Sequence, residues 1–317
     1  MLVHISLLII GLVLLIKGAD WLVKGASVLA KKYNISDLAI GLTIVAFGTS
    51  APELIVNIIA SAKAYPDIVF GNIIGSNNFN LFVILGLTGI ITPIAVQSST
   101  VWKEIPLSLI AVIVLFILAT NYVVSETFIL SRIDGVVLFA LFAGFLFYVY
   151  KQLKNDTTDS ELNTISMSGI KIWSFILLGL TGLVIGGKLL VDNAVDLATI
   201  LGVSEKIIGL TIVAAGTSMP ELATSIVAAI KKNNDIAVGN IIGSNIFNLF
   251  FILSVSSFVK PLNYNIKFNT DLIILAAGTI FLFVAMFTGQ KKKLDRWEAA
   301  LLLVFYIAYT IYFISKG

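Results

Sequence analysis

The sequence predicts an all-α polytopic membrane protein, with ten transmembrane helices arranged as two five-helix repeats of opposite orientation. Three observations carry that prediction: composition, a pair of segments that each occur twice, and the distribution of basic loops. Of 317 residues, 58% are hydrophobic and 12% charged, more apolar surface than a water-soluble chain can hide. The apolar residues come in long runs rather than in alternation, which predicts helices and not a β-barrel. IGLTIVAFGTSAPEL at 40–54 returns as IGLTIVAAGTSMPEL at 208–222, and GNIIGSNNFNLF at 71–82 returns as GNIIGSNIFNLF at 239–250.

In chain order, the predicted spans are 2–30, 37–63, 68–91, 104–122, 132–151, 171–199, 205–231, 236–258, 270–288 and 295–315. The first lacks a basic n-region and a small-residue cleavage site, so it reads as a retained helix and not a signal peptide. Several spans exceed the ~20 residues that cross a bilayer, so tilting or breakage is expected. The second and seventh carry Pro52 and Pro220, which remove a helix N–H and open the turn before them. The sizeable polar linker, 152–170, divides a first repeat at 1–151 from a second at 171–317.

A shift of 168 residues aligns 40–86 with 208–254 without a gap, and 31 of those 47 positions are identical. Repeats of this size in an apolar chain predict transporter architecture. An odd number of helices per repeat inverts the second copy. The loops after helices 1, 3, 5, 7 and 9 carry twelve Lys and Arg against six on the other side. By that excess, the 152–170 linker is expected in the cytoplasm and both termini outside, in a plasma-membrane protein. The net charge of +3 is small and dispersed, so no nucleic-acid partner is expected. No cysteine means no disulfide, thiolate nucleophile or sulfur metal site.

The repeated stretches also carry chemistry. Ala46, Thr49, Ser50 and Glu53 fall on one helix face, as do Ala214, Thr217, Ser218 and Glu221. Asn72, Ser76 and Asn80 are spaced by four, matched by Asn240, Ser244 and Asn248. These are stripes of oxygen donors in otherwise apolar text. Burying a carboxylate costs several kcal/mol unless it is paired, and no basic residue lies within two turns of Glu53 or Glu221. A cation from solution is the expected partner, and an all-oxygen ligand set selects a hard one. Glu53 and Glu221 used bidentately, with the Thr49 and Thr217 carbonyls, supply about six oxygens, within the range for Ca²⁺. Lys17, Asp20, Lys24, Lys188 and Asp192 read as pairs within their own helices or as snorkelling side chains. The Phe and Tyr residues of the fifth and tenth helices read as lipid-facing bulk.

At GTSAPE and GTSMPE, with GSNNFN and GSNIFN, the sequence resembles the sodium/calcium exchanger branch of the cation/calcium antiporter superfamily. These motifs cover about a third of the chain and match that family's two inverted α-repeats. The resemblance implies Ca²⁺ between Glu53 and Glu221, and Na⁺ at flanking positions. One of these would be lined by Ala46, Ser50 and Ser76, the other by Ala214, Ser218 and Ser244, with both glutamates contributing. Asn72, Asn80, Asn240 and Asn248 would line the site. It further implies three Na⁺ exchanged for one Ca²⁺, a functional monomer in the lipid bilayer, and no cofactor beyond the transported ions. Three Na⁺ on two carboxylates leave one positive charge, so exchange would be electrogenic. Asn248 stands where potassium-dependent relatives carry Asp, and His4 is the sole histidine. The first looks like the potassium-independent kind; the second, since proton-coupled relatives tend to place His or extra acids in these motifs, favours Na⁺ coupling over the alternative, H⁺/Ca²⁺ exchange. A channel is a further alternative, though it more usually assembles an acidic ring from several subunits. An intramembrane enzyme fits worst, with no cysteine and His4 remote from any candidate serine.

Overall fold

The computed structural model describes residues 1–120, 128–155, 167–201, 214–289 and 291–316. The first repeat comprises α1 (Leu2–Tyr33), α2 (Asp37–Thr49), α3 (Ala51–Ala62), α4 (Pro66–Ile91), α5 (Thr100–Thr120) and α6 (Arg132–Asn155). The second comprises α7 (Gly169–Ile200), a turn at Ala214–Gly216, α8 (Met219–Ile230), α9 (Asn234–Val259), α10 (Asn269–Ala285) and α11 (Arg296–Lys316). Among the described residues, seven helices are long and apolar enough to cross a bilayer, and the bent pair α2–α3 makes an eighth. That is consistent with ten spans. The first third of the predicted 205–231 helix, 205–213, lies outside the described residues, as does most of the 152–170 linker. α6 runs to Asn155, four residues past the predicted repeat boundary at 151.

The repeat is visible in how helices end. After α3, Ala64 takes a left-handed φ of 60°, and after α8 its counterpart Lys232 does the same. At both turns the next N–H reaches back to seal the helix: Tyr65 to the Ala60 carbonyl, Asn233 to that of Ala228, each 2.9 Å. Further on, Phe79–Ile84 in α4 and Phe247–Ile252 in α9 form wide π-helical turns at equivalent positions. Such widening is frequent at functional sites.

α4 and α9 form the centre, with 78% and 94% of their most apolar stretches buried, against 28% for α1, α6 and α7. α1 and α7 pair with each other backbone to backbone. A Cβ at Gly18 would meet the Gly179 carbonyl at 2.8 Å, and one at Gly186 would meet the Leu15 nitrogen at 2.7 Å. Small residues permit this approach, and it is how membrane helices gain dispersion contacts without a hydrophobic driving force.

Two short antiparallel strand pairs accompany the helices, a detail the all-α expectation omits. β1 (Ile94–Ala95) pairs with β4 (Lys293–Leu294), and β2 (Ile129–Leu130) with β3 (Leu262–Asn263). Each joins one repeat to the other across a connecting loop.

Two expectations need correction. Asp20 does not pair within α1: its carboxylate meets Lys231 Nζ, from the end of α8, at 2.6 Å, and Lys24 lies over the Phe175 ring at 5.0 Å. Helical spacing could not reveal a partner 211 residues away. The aromatics of α6 and α11 are also not all lipid-facing. Phe139, Phe147 and Phe305 are exposed, but Phe142 and Phe145 are buried, and Phe142 packs on Phe247 at 4.8 Å.

Candidate functional site

The two repeated stretches meet at the middle of the molecule. α2 and α3 are bent by 47° at Ser50. Ser50 has φ −82°, ψ 6°, and Ser218, ahead of α8, has φ −90°, ψ 9°. The cause is local: the missing N–H of Pro52 or Pro220 leaves the turn before it open. Each helix then restarts with a glutamate in its first turn, where the positive end of the helix dipole favours a carboxylate. Broken helices of this kind are tolerated at membrane depth only inside protein or beside a cavity.

The carboxylates bond across the repeats. Ser50 Oγ donates to Glu221 Oε1 at 2.9 Å, and Ser218 Oγ donates to Glu53 Oε1 at 3.1 Å. Both glutamates are only 1% exposed. Each uses one oxygen in this way; Oε2 of both has no hydrogen-bond partner among the described residues. No ion pair described here reaches either one. Two buried carboxylates thus sit together without a basic side chain. Among the described residues there is no cluster of three or more His, Cys, Asp or Glu, so the surrounding donors are hydroxyls and amides.

Ser244 Oγ joins Ser50 on Glu221 Oε1, at 3.5 Å. Ser50 and Ser244 thus share one carboxylate oxygen of Glu221. Ser76 is buried and its hydroxyl has no partner among the described residues. Ala46 packs on α9, where a Cβ at Gly243 would lie 2.8 Å from its own. The Ala214 backbone belongs to the turn ahead of Ser218, and its side chain lies outside the described residues. Asn80 and Asn248 are buried on the paired central helices.

The threonines engage the opposite repeat through asparagine. Thr49 Oγ1 donates to Asn240 Oδ1 at 2.9 Å, and Thr217 Oγ1 donates to Asn72 Oδ1 at 3.2 Å. Each asparagine amide nitrogen is tied down elsewhere. Asn240 Nδ2 reaches the Glu221 carbonyl and Ser225 Oγ, while Asn72 Nδ2 reaches Asn57 Oδ1 at 2.8 Å. Asn57 and Ser225 are fully buried, and sequence reasoning passed over both. They occupy equivalent positions under the 168-residue shift, but their identities differ, so the repeat comparison gave them no weight.

The two ends of the site are not alike. Thr49 and Asn240 are sealed from solvent, and α2 lies directly on α9: a Cβ at Gly239 would be 2.9 Å from the Leu38 carbonyl. At the other end Thr217, Asn72, Gly71 and Gly75 are all partly exposed, and a Cβ at Gly75 would meet no described atom within 4 Å.

A family model described as sodium/calcium exchanger protein matches residues 3–151 and 171–315. The chain belongs to the sodium/calcium exchanger family. Membership makes it an ion transporter and not an enzyme. The sodium/calcium exchanger MaX1 of Methanosarcina acetivorans is 33% identical, with 98% of each chain covered. The inner membrane protein YrbG of Escherichia coli is 39% identical over 82% of this chain and 81% of its own. Among solved structures, the sodium-calcium exchanger NCX_Mj soaked with zero Na⁺ and Ca²⁺ superposes with a TM-score of 0.81, at 34% identity and 97% coverage of both chains.

Proposed function

We propose that the chain is a secondary antiporter that extrudes Ca²⁺ against an inward flow of Na⁺, with one site alternately open to each side. The observation that carries this reading is the pair of buried glutamates, each with one oxygen that no described residue bonds and neither paired with a described basic side chain. An unpaired buried charge is strongly unfavourable, and a bound cation relieves it. Ca²⁺ would lie between Glu53 and Glu221 with the Thr49 and Thr217 main-chain carbonyls, which the breaks at Ser50 and Ser218 leave without helix partners. Na⁺ would take the hydroxyl-lined flanks, at Ala46, Ser50 and Ser76 and at Ala214, Ser218 and Ser244. MaX1 and NCX_Mj are sodium/calcium exchangers, in keeping with Na⁺ and Ca²⁺ as the ions, which serve as cargo, with no cofactor.

On the loop-charge reading, the sealed Thr49–Asn240 end would lie toward the cytoplasm and both termini outside, in the plasma membrane. The Thr217–Asn72 end then faces outward, and the conformation described is one in which ions reach the site from outside. α1 and α7 pack as a pair on the rest of the bundle, and their movement would switch access. Each chain carries a whole site, so a monomer suffices.

The test is flux in proteoliposomes. An outward Na⁺ gradient should drive radioactive Ca²⁺ inward at clamped pH. Uptake driven only by a pH gradient would assign H⁺/Ca²⁺ exchange instead, and Ca²⁺ movement without countertransport would assign a channel. With one net charge per cycle, a potential of about 100 mV shifts the balance by about 2.3 kcal/mol, roughly fiftyfold in the Ca²⁺ ratio.

A further inference from the structure

We propose that Asn77 and Asn245 are positioning residues that fix the amide polarity of Asn80 and Asn248, so that both present oxygen rather than NH₂ to the cation. The proposal rests on the exchanger reading above.

Asn77 and Asn245 are equivalent under the 168-residue shift and meet where α4 crosses α9. Asn77 Nδ2 donates to the Asn245 main-chain carbonyl at 3.2 Å, and Asn245 Nδ2 donates back to the Asn77 carbonyl at 3.5 Å. A main-chain carbonyl only accepts, so each amide must turn its nitrogen toward it. The side-chain oxygens are thereby aimed away. Asn248 Nδ2 donates to Asn77 Oδ1 at 2.9 Å, and Asn80 Nδ2 donates to Asn245 Oδ1 at 3.0 Å. The outer pair is thus oriented by the inner pair, and the chain of logic starts from backbone.

What remains is informative. Asn80 Oδ1 and Asn248 Oδ1 are buried and have no hydrogen-bond partner among the described residues, although both residues are only 1% exposed. An unsatisfied buried carbonyl is unfavourable, and a fold that leaves two of them at equivalent positions has a use for the lone pairs. A flipped amide would offer NH₂, a donor with the wrong dipole for a cation. Both residues stand in the wide turns at Phe79–Ile84 and Phe247–Ile252, so an irregular backbone and a fixed amide coincide in each copy.

The experiment measures the Na⁺ and Ca²⁺ concentrations that give half-maximal thermal stabilisation of the purified full-length protein. Asn77→Leu removes the acceptor that holds Asn248. It should raise the half-saturating concentration of at least one ion about tenfold, or about 1.4 kcal/mol. Asp offers oxygen in either orientation, so adding Asn77→Leu to an Asn248→Asp protein should change that protein's own midpoint less than about twofold. Asn245→Leu with and without Asn80→Asp repeats the test on the other copy and decides it if Asn77→Leu does not fold. Unchanged midpoints in the single variants, the same loss in the Asp backgrounds, or unfolding of both leucine variants in every background would overturn the proposal. A wild-type protein stabilised by neither ion would instead refute the exchanger reading, and the positioning role with it.

Discussion

The two threonine–asparagine contacts are built from the same residues and sit in opposite surroundings. Thr49 meets Asn240 at 2.9 Å in a sealed environment, while Thr217 meets Asn72 at 3.2 Å where both are partly exposed. Gly243 has Ala46 and Leu42 against it, whereas its counterpart Gly75 has no described atom within 4 Å of a Cβ. The motifs around them are the same text, so local chemistry does not explain the difference. On the proposed antiporter reading, similar halves in unlike surroundings are one of two related arrangements, and exchanging the surroundings of the halves would generate the other.

The largest effect should come from what the halves share. On the proposed site, Glu53→Gln and Glu221→Gln would each remove half of the charge that compensates Ca²⁺, a loss of about 3–5 kcal/mol for breaking one side of a buried charge pair. Each should lower Ca²⁺ flux in vesicles more than about a hundredfold, and by similar factors. Near-normal turnover in either would remove the glutamates from the site.

The next effect separates the halves. Gly243→Ala forces a methyl to within 2.8 Å of the Ala46 Cβ, and such overpacking costs about 1–3 kcal/mol. It should lower thermal stability and weaken the sealed end. Gly75 is partly exposed and an added methyl there meets no described atom within 4 Å, so Gly75→Ala should cost less stability. Turnover should fall if, as proposed, Gly75 becomes crowded when its end closes. Equal stability losses in the two variants would show that the glycines differ in no functional way.

The smallest effect lies where the copies differ in sequence. Asn57 orients Asn72, and Ser225 helps orient Asn240. Removing one such hydrogen bond costs about 1 kcal/mol. Asn57→Ala should therefore weaken Ca²⁺ binding only about fivefold, read by titrated uptake. Asn57→Ser should restore most of it, since the other copy already works with serine. Failure of serine to restore binding would make Asn57 a packing residue.

Much of this was legible in the sequence because it is written twice. A proline and a glutamate at equivalent places in an apolar repeat announce a broken helix and a charged midpoint, and two inverted copies imply that both lie together. The rest was hidden for physical reasons. The wide turns at 79–84 and 247–252 have no side-chain period of their own. Strand pairs two residues long carry no pattern. The Asp20–Lys231 contact depends on how helices pack and not on helical spacing. Asn57 and Ser225 were invisible to a comparison that rewarded identity, and Asn77 and Asn245 were passed over because they fall off the four-residue stripe of Asn72, Ser76 and Asn80.

The comparison between the two ends is tested most directly with single cysteines, which the absence of native cysteine makes clean. Thr217→Cys and Thr49→Cys, each in sealed vesicles of known orientation, are exposed to a membrane-impermeant thiol reagent from one side and then the other. Thr217→Cys should react from the outer side and Thr49→Cys only from the inner, more slowly and in step with turnover. Reaction of both from the same side would contradict a site opened in turn by its two inverted halves.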